Sequence, residues 1–111
     1  MARLQNKLNW RVFTNKQRNE AIEDLKNAIS KTDGYIINFN TFSDLALSLT
    51  VEIEEKSIHK LYQKINEVLK ISESEPENLN LNSNKDWWIF INFSFGKGKG
   101  ELKVNVPDVP G

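Results

Sequence analysis

Apolar residues recur along this chain with two different periods, and the changes of period mark out its elements. The densest two-residue alternation runs over residues 85–95, where Trp87, Ile89, Ile91, Phe93 and Phe95 share one face that calls for full burial. The other face opens with Trp88 and Phe90 and turns polar at Asn92 and Ser94, which confines burial there to one end. Three more stretches alternate. Leu8, Trp10 and Val12 oppose Asn9, Arg11 and Phe13; Tyr35, Ile37 and Phe39 oppose Ile36, Asn38 and Asn40; Leu45, Leu47, Leu49, Val51 and Ile53 oppose Ala46, Ser48, Thr50 and Glu52.

Elsewhere the period lengthens to that of a helix. Ala21, Ile22, Leu25, Ala28 and Ile29 make one apolar stripe, with Thr14 or Asn15 placed to cap its start and Gly34 its end. Ile58, Leu61, Tyr62, Ile65, Val68 and Leu69 make a second over residues 55–70. Residues 71–86 are rich in Ser, Glu and Asn around Pro76 and read as a long polar connection, a length that in compact domains accompanies function or mobility. Leu79 and Leu81 suit it to fold onto the domain as a partial flap. Beyond the aromatic strand, the Gly-Lys-Gly-Lys-Gly run 96–100 reads as a hairpin tip, Leu102, Val104 and Val106 as a last strand, and residues 107–111 as an extended tail.

The order strand, helix, strand, strand, helix, strand predicts one α+β domain over residues 1–111, a ferredoxin-like βαββαβ sandwich with both helices packed on one face of an antiparallel sheet. The aromatic strand is then the fourth, antiparallel to the first, and an extra C-terminal β-strand hairpins outside it. The other face of the sheet stays open.

Composition narrows the function. With 111 residues, 39% of them hydrophobic, the chain can hold a core without staples, and the absence of cysteine removes disulfides, thiolate metal sites and cysteine nucleophiles. No apolar run approaches the roughly 18 residues of a membrane span and none follows the N-terminal charges, so the expectation is a soluble, cytoplasmic protein with no membrane partner. Fifteen basic residues offset fifteen acidic ones, and a net charge of +0 argues against binding driven by nucleic-acid phosphates. The element order also suits an RNA-recognition domain, which stacks bases on aromatics of its first and third strands. Here the third strand offers Ala46, Ser48, Thr50 and Glu52, so nucleic acid is not the expected partner.

Candidate chemistry is sparse. His59, the single histidine, has Glu55 one turn earlier, and the two could pair or share a metal, but no third ligand accompanies them. Glu52 and Glu54 belong to a solvated strand face, and Glu55 to a helix start, where the dipole favours a carboxylate. The glycine-lysine tip joins strand to strand and does not match a phosphate loop, which joins strand to helix. No cofactor and no metal is expected. What remains is a patch on the open face: a fourth strand starting antiparallel to the end of the first brings Trp88 and Phe90 beside Phe13, with Arg11 adjoining as a polar rim. The plain alternative is a satellite core covered by the polar connection.

Three readings follow. The first is a small non-enzymatic binding or interaction module that uses the open face of its sheet, with itself as a homodimer or another protein as partner. The second is a small enzyme or ligand-binding domain with a cleft under residues 72–86, its polar actors drawn from His59, Arg11 and Tyr35. The third is an inhibitor or immunity-type protein directed at one macromolecular partner.

Overall fold

In the computed structural model, which describes residues 6–96, all four alternating stretches are strands and both helical stripes are helices. The elements are β1 Lys7–Thr14, α1 Arg18–Lys31, β2 Tyr35–Ser43, β3 Ala46–Glu54, a 3₁₀ turn Glu55–Ser57 leading into α2 Ile58–Val68, then β4 Lys70–Ile71 and β5 Asp86–Phe95. The fold is a mixed α+β arrangement, one five-stranded sheet with two helices among the described residues. One core holds it together. Trp10, Val12, Leu47, Leu49, Val51, Ile53, Ile89, Ile91, Phe93 and Phe95 from one face of the sheet meet Ala21, Leu25, Ala28 and Ile29 of α1 and Ile58, Leu61, Tyr62 and Ile65 of α2.

The strand order departs from the ferredoxin-like one. It is β2-β3-β5-β1-β4, with β5 antiparallel to β3 and parallel to β1. The place expected for the aromatic strand, antiparallel on the outer side of β1, is taken by the two-residue β4. The aromatic strand instead enters between β3 and β1, and residues 72–85 make that entry possible by carrying the chain from β4 back to the end of the sheet where β1 begins. Such a strand is hidden on one face and at both edges, which suits the most apolar stretch of the chain. With β3 on one side and β1 on the other, β5 has no edge left for a hairpin partner; the strand expected at Leu102, Val104 and Val106 and the tail 107–111 lie outside the described residues.

Local corrections have local causes. The side chain of Gln17, not Thr14 or Asn15, caps α1 by accepting the Glu20 N–H at 3.1 Å, while the Thr14 hydroxyl takes the Lys16 N–H at 3.0 Å. Asp33, with φ of 63°, makes the left-handed turn out of α1, a conformation an Asp tolerates. Space is tight at Gly34, where a Cβ would meet Ile29 Cγ2 at 3.1 Å and Val51 Cγ1 at 3.2 Å. In β2 an extra residue at Ile37 shifts the register between Ile36 and Asn38, so Ile36 and Phe39 oppose Val51 and Leu49 on the helix side and Tyr35 faces the open side with Glu52.

Candidate functional site

The open face is a set of rungs across four strands, each fixed by register. At the end where β5 begins, Tyr35 (β2), Glu52 (β3), Trp88 (β5) and Lys7 (β1) lie in one row. The next row is Asn38, Thr50, Phe90 and Asn9, and the one after it Asn40, Ser48, Asn92 and Arg11. Ser43, Ala46, Ser94 and Phe13 close the far end.

This arrangement sorts the expected patch residues. Trp88 and Phe90 are together, ring edge to ring face at 6.3 Å between centroids. Phe13 is not with them: in the parallel pairing it opposes Ser94, six residues along β5 from Trp88 and about 20 Å away at strand rise. Arg11 opposes Asn92, and its side chain turns to the outer edge of β1. There the Glu73 carboxylate accepts the Arg11 backbone N–H at 2.6 Å and its Nε–H at 2.7 Å.

Trp88 remains 42% exposed, and its indole N–H donates to Glu52 Oε2 at 3.3 Å. Open depressions flank it. One, of about 320 Å³, is lined by Asp33, Tyr35, Glu52, Ile53, Glu54 and Asp86; the other, of about 210 Å³, by Asn6, Lys7, Asp86 and Trp88 itself. The exposed ring therefore has Glu52 and Asp86 beside it and Lys7 in the same row, while Glu54 has Lys56 at 3.6 Å. Tyr35 and the acids were visible in the sequence as separate residues, but their assembly around Trp88 depends on the strand order.

The connection 72–85 is tied to the edge of the sheet. Its hydrogen bonds run along the edge of β1 and the start of α2: Ser72 N–H to the Arg11 carbonyl, the Tyr62 hydroxyl to the Glu73 carbonyl, and the Glu55 and Lys56 N–H groups to the Lys85 and Ser83 carbonyls. His59 pairs through Nδ1 with Glu75 Oε2 at 2.8 Å rather than with Glu55, which is buried and accepts the Asn80 N–H at 2.8 Å. Tyr35 and Arg11 have β3 and β5 between their strands, roughly 14 Å at the usual strand spacing, and His59 lies in the helix layer. The polar groups considered for catalysis therefore do not converge, and among the described residues no three His, Asp or Glu side chains are placed to hold a metal.

The Arg11–Glu73 clasp gives a pH dependence. Partial burial opposes ionisation of Glu73, but the hydrogen bonds from the Arg11 backbone and guanidinium outweigh it and hold the carboxyl below its ordinary value of 4.5. The folded state thus binds this proton more weakly than the unfolded chain, so the clasp contributes fully above about pH 4.5 and is lost as pH falls through the lower folded value. Urea midpoints from pH 6 to pH 3 should fall less steeply for Glu73→Gln than for the natural chain. Parallel curves would mean that the pair contributes nothing. Tyr62 is shifted the other way, its hydroxyl pushed up by burial and by the Glu75 and Glu73 carboxylates.

Comparison with protein-family models, with curated proteins and with solved structures finds no match. Among the described residues no helix is long and apolar enough to cross a membrane.

Proposed function

We propose that this chain is a non-enzymatic protein-binding module whose open sheet face docks a basic partner around Trp88. The observation that carries the reading is the half-exposed indole on the central strand, braced by Phe90 and Glu52, with Asp86 and Lys7 lining the depression beside it and Asp33, Glu52, Glu54 and Asp86 the neighbouring one. Tryptophan and tyrosine supply large contact area at low entropic cost and dominate binding energy when a partner seals them from water. Tyr35 adds a second exposed ring in the same row.

Carboxylates around the anchor select a lysine- or arginine-bearing surface and disfavour pairing of this face with its own copy, where acid would meet acid. That favours the inhibitor or immunity-type form of the reading, a small domain covering one basic macromolecule, over an open-face homodimer. Affinity capture from native extract tests it, with the natural chain and Trp88→Glu compared side by side. A basic protein retained by the natural chain should be held at least about thirtyfold more weakly by Trp88→Glu, the loss expected of a central anchor. Retention should also fall as salt rises. Equal capture by both chains, with melting temperatures unchanged, would remove Trp88 from the interface and this reading with it.

A further inference from the structure

The row of the open face where β5 begins alternates in chemistry. Across the strands it runs Tyr35, Glu52, Trp88 and Lys7, which is ring, carboxylate, ring, ammonium. Tyr35 is 70% exposed and Trp88 42%. Their strands are the two neighbours of β3, so the two positions stand about 10 Å apart with Glu52 midway. A cation held over Glu52 is then about 5 Å sideways from each ring position, inside the roughly 6 Å at which an aromatic face attracts it.

The carboxylate between the rings is not neutralised by its neighbours. Its Oε2 accepts the Trp88 indole N–H at 3.3 Å, which holds the side chain beside the ring. Among the described residues no lysine, arginine or histidine pairs with it. Lys7 lies beyond Trp88, two strand spacings or about 10 Å from Glu52, more than the roughly 8 Å over which physiological salt screens exposed charges. A depression of about 320 Å³ opens beside Glu52, walled by Tyr35 and lined also by Asp33 and Asp86, so an incoming side chain has room and meets acidic surroundings.

Of the two basic side chains, arginine fits this row and lysine fits only its charge. A guanidinium carries its donors in one plane between two flat, weakly hydrated faces, so it can turn an edge to the carboxylate and its faces to the rings on either side. An ammonium is a compact, strongly hydrated point charge that must shed water to do either. Lys7 repels a second cation on the other side of Trp88, so the row takes one.

We propose that Tyr35, Glu52 and Trp88 form a seat for a single arginine side chain of the partner. This rests on the docking reading above and narrows it, from a basic surface to one guanidinium at a fixed place on the sheet.

Nuclear magnetic resonance titration of the isotope-labelled full chain with three capped tripeptides, Gly-Arg-Gly, Gly-Lys-Gly and Gly-citrulline-Gly, tests it. The arginine peptide should shift the Trp88 indole N–H and the backbone amides of Tyr35 and Glu52 saturably, at a concentration at least about tenfold lower than the lysine peptide requires. The citrulline peptide, which keeps the shape without the charge, should produce no saturable shift. Glu52→Gln, whose amide oxygen can still accept the indole N–H, should weaken the arginine response at least about tenfold. Tyr35→Ser, at an exposed position, should weaken it too and serves if Glu52→Gln lowers the melting temperature. Equal response to arginine and lysine, an arginine response that these variants leave unchanged, or no saturable response at this row overturns the proposal. Failure of the docking reading looks different, because a basic protein is then captured equally by the natural chain and by Trp88→Glu, whatever the peptides do.

Discussion

Trp10→Ala should lower the stability of the folded chain by about 3–5 kcal/mol, the range for removing a buried aromatic from a core that cannot close over the gap. Trp10 is 1% exposed on β1, opposite Ile91 of β5, and its ring meets that of Tyr62 edge to face at 5.4 Å. β1 is held by β5 on one side and β4 on the other, so the backbone cannot move inward to fill the cavity. The loss also reaches the surface, since Tyr62 donates to the Glu73 carbonyl and Glu73 clasps Arg11. Urea unfolding followed by circular dichroism measures it, and Trp10→Phe, which keeps a ring against Tyr62, should recover a large part. A loss below about 1 kcal/mol, the size of an ordinary surface change, would mean that this core does not close on β1.

Glu55→Ala should cost about 1–3 kcal/mol, the penalty for leaving a buried hydrogen-bonding group unmatched. The carboxylate is buried where the 3₁₀ turn begins and accepts the Asn80 N–H, while the backbone of Glu55 and Lys56 bonds Lys85 and Ser83. One short segment therefore anchors the far half of the 72–85 connection. Amide exchange near Asn80 should accelerate in Glu55→Ala while Ile89 and Ile91 stay protected, and Glu55→Gln, whose amide oxygen can still accept, should restore much of the protection. Uniform acceleration through β5 would show instead that the connection and the sheet open as one unit.

The strands and helices were legible because each has a period long enough to count, and so was the buried face of the aromatic strand. Its neighbours were not. Alternation says which side chains share a face, but not which strand lies alongside or in which direction, and the placing of Phe13 beside Trp88 depended on an antiparallel pairing that is parallel in the fold. β4 escaped notice because two residues carry no period. The bulge at Ile37 exchanged the faces of β2 without a glycine or proline to mark it. The partners of Arg11 and His59, Glu73 and Glu75, sit in a stretch whose polar composition gives no register, so Arg11 was read as a rim of the patch and proximity along the helix pointed His59 to Glu55.

Placing β5 in the middle of the sheet also dictates when the molecule can assemble. Leu8 pairs with Ile89 across 81 positions of chain, and Val51 with the same residue across 38. β1 and β3 share no ladder with each other, so the pair β2-β3 and the pair β1-β4 cannot be joined into one sheet until residues 86–95 are available to bridge them. A topology so dominated by distant pairings belongs with slow folders, whose loop-closure entropy must be met before the contacts that offset it form. During synthesis the facing edges of β1 and β3 would stay unpaired until the last described element has left the ribosome, the interval in which a chaperone would have most to do.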